Sequence, residues 1–283
     1  MSREPSRFGK VLTHACLLVA VAVAVYPVLW VIKMAFSDTQ AFGLSASLIP
    51  DRVTGANFKA LVTATDDEGT WLFGRHLLNS VVVSTGTTLL GLFLACTAAY
   101  AFSRFKFPGR RAGLMLFLVT QMFPGVMMAI PLYILMDMLG LLGTLPGLML
   151  VYGMTAIPFC VFMLKGYFDT IPRELEEAAL MDGASQFVIF WKVVMPLAKP
   201  ALAVTALFSF MTAWNEFILA ATFMNDERMF TLPVALQRYV GDYGTEWGMF
   251  AAGAVIVSVP VVALFFALQR NLVGGLTAGG VKG

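Results

Sequence analysis

Six stretches of this chain are long, apolar and almost free of charge: residues 11–36, 77–102, 112–136, 146–168, 199–223 and 249–269. Each has about the 20 residues a helix needs to cross a hydrocarbon core roughly 30 Å thick. A bilayer core offers no water to backbone N–H and C=O groups, so runs of this length must satisfy them internally, as α-helices. The chain therefore reads as an all-α integral membrane protein with six transmembrane helices. A hydrophobic content of 59% against 13% charged residues points away from a soluble domain. The net charge of +2 is too small to imply a nucleic-acid partner, which leaves the lipid bilayer as the first partner. The opening run exceeds the core of a signal peptide and lacks a clear small-x-small exit, so it reads as an uncleaved span.

The basic residues set the orientation. Arg3, Arg7, Lys10, Arg104, Lys106, Arg110, Arg111, Lys165, Arg173, Lys192, Lys199, Arg270 and Lys282 fall on one side of a six-span arrangement. Lys33, Arg52, Lys59, Arg75, Arg228 and Arg238 are spread over the longer segments of the other. The positive-inside rule makes the first side cytoplasmic, with both termini on it. The whole chain, 1–283, is expected to form one polytopic domain: a first span, an extracytoplasmic loop over 37–76, a five-span core over 77–270 containing a loop at 169–198, and a cytoplasmic tail over 271–283. The outer loop from about Asn225 to Trp247 contains Leu232, Pro233, Gln237, Arg238 and Tyr239. Its mixed charge and tyrosines suit a protein contact, and a solvated loop fits the same composition.

The loop at 169–198 is a polar island with the grammar of a helix, a tight turn and a second helix. Pro172 suits a first helical turn, and Glu174, Glu176 and Glu177 complement the positive end of its dipole. Gly183 supplies a left-handed stop, Ser185 a cap for the next helix, and Pro196 the end of that helix. Phe187, Phe190 and Trp191 fall at i, i+3 and i+4, which predicts one apolar stripe beside exposed Gln186 and Lys192. Polar helical hairpins are common in membrane-protein loops, and most carry no named role.

The pattern Glu177-Ala178-Ala179, three residues, Gly183, nine residues, Val193-x-Met195-Pro196 resembles the cytoplasmic coupling loop of binding-protein-dependent ABC importer permeases. Val193 and Met195 stand where that family usually has Ile and Leu, which keeps the apolar bulk. The resemblance implies the type I ABC importer permease fold and a loop, comprising Glu177, Ala178, Ala179, Gly183, Phe187, Phe190, Trp191 and Pro196, that docks on an ATPase subunit. It also implies the partners: a homologous second permease forming a heterodimer, two ATPase subunits and an extracytoplasmic sugar-binding protein. Residence in a bacterial inner membrane follows.

Two further segments narrow the resemblance to the carbohydrate branch. Trp214-Asn215-Glu216-Phe217 matches a run common in its members. An ionised carboxylate at bilayer depth costs about 2.5–3.5 kcal/mol on insertion scales, so Glu216 should face a partner or a wet cavity. Trp214, Asn215 and Glu216 are therefore expected at a pathway or subunit interface, with a purely structural pairing of Glu216 as the competing reading. The ending from Gln269 to Gly283 is similar to that of the second permease of maltose importers; Thr277, Gly279, Gly280 and Lys282 would then form a tail touching the ATPases. By composition alone such a Gly-rich end reads as a flexible tail. Maltose or maltodextrin is the substrate this implies, with trehalose or glycerol phosphate as alternatives.

No Gly-x4-Gly-Lys-Ser/Thr loop occurs, so ATP and magnesium are expected on the partner ATPase, with no cofactor and no metal bound by this chain, and no catalytic residue in it. His14 and His76 lack zinc-type neighbours, and Cys16, Cys96 and Cys160 form no close pair. An intramembrane enzyme using Glu216, or an ion-coupled carrier, remains as a rival class. Neither gives the 169–198 hairpin a task.

Overall fold

A computed structural model of the chain describes residues 7–40, 47–241 and 244–280. The fold is helical, as the apolar runs require. Among the described residues, four helices are each long and apolar enough to cross a membrane: α1 (Arg7–Ala35), α3 (Leu72–Arg104), α6 (Leu145–Phe168) and α13 (Trp247–Gly280). Two bent pairs raise the number of spans to six if each is counted as one.

The third expected span departs from a continuous helix. α4 (Arg110–Met122) and α5 (Gly125–Met138) meet at 105°. Phe123 and Pro124 are both extended there, with ψ of 129° and 128°. A residue before proline is pushed out of the α region, and Pro124 adds no N–H to carry the helix on. Pro131, Pro158 and Pro260, by contrast, sit inside α5, α6 and α13. The fifth expected span is broken as well: α10 (Lys199–Trp214) stops before Asn215, and α11 resumes over Ile218–Phe223.

The chain divides into two compact units, the first being the chain up to Phe73 with Leu236–Val259. Here the loop after α1 folds around a buried amide. Asn57, in α2 (Ala56–Val62), donates to the carbonyls of Ala35 at 3.1 Å and Ser37 at 2.8 Å, and accepts from Gln40 at 2.7 Å. Gln40 Oε1 in turn accepts from the N–H of Gly248 at 3.0 Å. Position 248 must be small, because a Cβ would lie 2.6 Å from the Asn57 amide nitrogen. A short antiparallel pair, β1 (Val240–Gly241) and β2 (Gly244–Thr245), completes this unit.

The second unit holds Gly74–Ala235 and the chain from Pro260. Its first apolar core joins α3, α6 and α10 with the hairpin that precedes α10: Ala99, Tyr100, Val161, Leu164, Phe168, Ile189, Phe190 and Val194 are all buried. Cys96 and Cys160 lie in this core as free thiols, and Cys16 is free and exposed. A second core gathers Val83, Met136, Leu148, Tyr152, Leu219 and Phe223 around α5, α6 and α11. Gly86 on α3 lets Met149 approach, since a Cβ there would meet its sulfur at 2.6 Å.

Candidate functional site

The 169–198 segment forms the expected hairpin. α7 covers Glu174–Met181, with Arg173 as its first flanking residue, so Pro172 precedes the helix instead of opening it. The turn is a Schellman motif. The N–H of Ala184 reaches the carbonyl of Ala179 and the N–H of Gly183 that of Leu180, both at 3.0 Å, while Gly183 adopts φ +82°. Ser185 then accepts from the N–H of Val188 at 3.4 Å, opening α8 (Gln186–Ile189).

Beyond α8 the helix widens into a π turn over Phe190–Val194 and tightens again in α9 (Met195–Leu197). Pro196 therefore does not end the second helix. It occupies the first turn of α9, where its missing N–H is tolerated, and the 79° bend into α10 falls around Ala198. The aromatic stripe is split as well. Phe187 (72% exposed) and Trp191 (42%) face outward as an edge-to-face pair 6.3 Å apart, whereas Phe190 is buried, 4.9 Å from the ring of Tyr100. The inward face is set by Ile189 and Val194, and Phe190 lies nearest to it.

Glu177, Ala178, Gly183 and Pro196 are exposed on the hairpin, and Ala179 is half-buried. Leu180 and Met181 add exposed apolar surface, so the outer face is apolar with one carboxylate edge. A surface of that kind fits a protein partner.

Holding the hairpin is a polar clamp at the end of α3 that sequence reasoning did not find. Glu176, expected to sit at the helix dipole, points inward: Oε1 meets Arg104 Nε at 2.5 Å and Oε2 accepts from the Tyr100 hydroxyl at 3.1 Å. The side chains of this ion pair are only 7% and 10% exposed. Arg104 also donates to the carbonyl of Ile171 at 3.1 Å and to Ser103 Oγ at 3.2 Å, and the Tyr100 oxygen, whose one proton goes to Glu176, lies 3.2 Å from the Gln186 amide. Ser103 donates to Asp169 at 2.6 Å, and Asp169 pairs with Lys165 at 2.6 Å. Burial pushes the Asp169 carboxyl upward, but hydrogen bonds from Lys165 and Ser103 outweigh it and hold its pKa below the ordinary value. One signal was available: Tyr100 and Arg104 are four residues apart, so both polar groups leave the same face of a helix end.

The Trp214–Glu216 group marks the break between α10 and α11. Trp214 is buried and stacks on Phe210 at 5.5 Å, while Asn215 is exposed and donates back to the Met211 carbonyl at 2.9 Å. Glu216, half-buried, accepts from the N–H groups of Leu219 at 2.8 Å and Ala220 at 3.1 Å. Its carboxylate thus satisfies the first donors of α11. The buried hydroxyl of Tyr152 faces the same carboxylate without forming a hydrogen bond of ordinary geometry.

The outer and C-terminal groups fare unevenly. Leu232 is not a surface residue: it is buried, its N–H donates to Ser80 Oγ at 2.7 Å, and it opens α12 (Leu232–Gln237), whose Val234, Ala235 and Leu236 are buried too. An apolar six-residue helix has more to gain from the core than from water. Pro233 and Tyr239 are half-buried, and Gln237 and Arg238 are exposed. α13 runs through Thr277, Gly279 and Gly280, so the Gly-rich stretch read as a flexible tail is helical to that point, and Lys282 lies outside the described residues.

Residues 87–277 match the model of the family described as binding-protein-dependent transport system inner membrane component. The chain is 38% identical over 279 residues to the galactooligosaccharides transport system permease protein GanQ of Bacillus subtilis, covering 98% of this chain and 97% of that protein. It is 38% identical to the maltose/maltodextrin transport system permease protein MalG of Vibrio parahaemolyticus, covering 96% and 95%. Among solved structures it resembles a chain of a bacterial ABC transporter involved in import of the acidic polysaccharide alginate, with a TM-score of 0.77, 26% identity, and 95% and 98% coverage.

Proposed function

Because the chain belongs to the family of inner-membrane components of binding-protein-dependent transport systems, we propose that it is the permease subunit of an ATP-driven sugar importer in which the hairpin turns ATPase closure into movement of the spans. The observation that carries this reading is the clamp: a hairpin with an exposed apolar face is tied through buried Glu176 to Arg104 and Tyr100, at the end of a 33-residue helix. Force applied at Phe187, Trp191, Leu180 and Met181 reaches α3 through charge-assisted bonds, the stronger kind of hydrogen bond. Packing of Phe190 and Val194 carries it to α6 and α10.

In this reading the chain pairs with a homologous permease, and each of the two docks one ATPase subunit, where ATP and magnesium are used. This chain hydrolyses nothing itself. A binding protein delivers sugar at the opposite face, where Gln237, Arg238 and Tyr239 are the contact residues. Asn215 and Glu216 line the pathway break between α10 and α11, with Trp214 supporting them from within. Thr277, Gly279, Gly280 and Lys282 form the second contact with the ATPases. Both termini and the hairpin face the cytoplasm, as the asymmetry of basic residues supports. Maltose or maltodextrin is the preferred cargo, supported by a full-length relative named for it.

Sugar-stimulated ATP hydrolysis by the complex reconstituted with its binding protein tests the reading. A panel of maltodextrin, galactooligosaccharide, trehalose and glycerol phosphate assigns the cargo. Stimulation by one of them, abolished by Gly183→Asp while the complex still assembles, is the expected result. Full sugar uptake by that variant would refute the lever.

A further inference from the structure

Beside the hairpin's anchor, the start of α4 and the end of α6 enclose an open cleft of about 630 Å³ lined by Phe107, Gly109, Arg110, Arg111, Leu114 and Lys165, with Ala112 closing one side. No acidic side chain lines it. Three cations at one cleft repel one another unless something neutralises them, and their partners among the described residues do so only in part. Lys165 is paired with Asp169, and Arg110 donates to the Phe102 carbonyl at 2.8 Å. Arg111 is exposed, with neither hydrogen bond nor ion pair among the described residues. The cleft also receives the positive end of α4, a 13-residue helix whose Arg111 and Ala112 N–H groups have no backbone acceptor among the described residues.

The surroundings limit the anion that fits. From Arg111 an apolar line continues along α4 through Met115 (57% exposed) and Leu118 (47% exposed), at i+4 and i+7, so both lie on the same outward face. A soluble anion has no use for that line, whereas an acyl chain does. The cleft lies at the end of two helices whose remaining lengths are apolar, the level at which headgroups lie.

We propose that this cleft binds the phosphate of an anionic phospholipid, held by Arg111, Lys165 and the N–H groups at the start of α4, with an acyl chain laid along Met115 and Leu118. Binding draws on Lys165, and so loosens its hold on Asp169. Asp169 is hydrogen-bonded to Ser103, which accepts from Arg104 of the clamp. The lipid site and the hairpin therefore share one continuous hydrogen-bonded chain of side chains.

The test uses the full-length chain with whatever subunits co-purify, in nanodiscs of phosphatidylcholine doped with phosphatidylglycerol, and reads retained lipid by native mass spectrometry. Phosphatidylglycerol should be retained over phosphatidylcholine, falling roughly fivefold for each cation removed in Arg111→Gln and Lys165→Gln. Lys192→Gln, which removes an exposed cation on the hairpin, should leave retention unchanged. Arg111→Gln is decisive because it breaks no hydrogen bond or ion pair among the described residues. Equal retention of the two lipids, or wild-type retention by the double variant, overturns the proposal. So does thermal protection by inorganic phosphate in pure phosphatidylcholine without any phosphatidylglycerol preference, which assigns the cleft to a soluble anion. The readout is lipid mass, so it stands whether or not the chain carries sugar.

Discussion

Replacing Glu176 by Ala removes the centre of the clamp and leaves Arg104 in place, its side chain 7% exposed. Breaking a buried ion pair from one side costs about 3–5 kcal/mol. Arg104 keeps two of its three partners, the Ile171 carbonyl and Ser103, while the Tyr100 hydroxyl keeps Gln186. The cost should therefore lie at the low end, about 3 kcal/mol. That energy ties the hairpin to α3 and is not distributed over the whole chain, so it should emerge as local opening. At about 1.4 kcal/mol per decade, amide exchange in α7 and through the turn to Ala184 should accelerate by roughly a hundredfold. Exchange in α5 and the far half of α6 should stay within a factor of about two. The double replacement Arg104→Leu with Glu176→Leu removes both charges and should bring exchange back to within about tenfold of the native rate. Hydrogen–deuterium exchange on the purified complex measures all three. Native exchange in the single variant would mean that the ion pair is not what holds the hairpin, and that Glu176 does not link it to α3.

Three other outcomes follow from the same geometry. Phe190→Ala, which empties a buried site against Tyr100, should lower stability by about 3–5 kcal/mol in thermal unfolding, whereas Phe187→Ala should leave stability within about 0.5 kcal/mol and instead reduce co-purification of the ATPase. At Gly183 no atom stands within 4 Å of an added Cβ, so Gly183→Ala should cost only the left-handed backbone penalty of about 1–2 kcal/mol, and Gly183→Asn less, as unfolding midpoints will show. The folded Asp169 has a depressed pKa, so its contribution is present above the ordinary carboxylate pKa of about 4 and is lost as pH falls through the depressed value; Asp169→Asn should flatten that acid limb of the stability profile.

The elements legible in the sequence are those fixed by local rules. The apolar runs gave the helices because a bilayer leaves the backbone no alternative, and Gly183 and Ser185 marked the turn because left-handed geometry and capping are each a property of one residue. What stayed hidden depends on partners distant in the chain. Nothing near Glu176 announces that Arg104 and Tyr100, more than seventy positions earlier, will claim its carboxylate ahead of the helix dipole. The outward stripe failed at Phe190 for a related reason: spacing puts it beside Phe187, but the choice between water and Tyr100 is made by α3. Glu216 was recognised as needing a partner, and that partner is the backbone of its own next turn, a local solution that a search for charged neighbours passes over. Leu232 sat in a segment whose charged and tyrosine neighbours suggested surface, yet its own helix is apolar throughout its buried positions.

The π turn over Phe190–Val194 has a consequence for how this chain tolerates change in length. A wide turn accommodates a surplus residue within an otherwise ordinary helix. Deleting one residue there would let the segment close into regular α geometry without turning what lies beyond it, whereas the same deletion within a regular stretch of α10 would rotate everything beyond it by about 100°. In the second case the far part of α10 would present a different face to α6. The same loss of one codon is therefore absorbed or disabling according to whether it falls where this spare residue is kept.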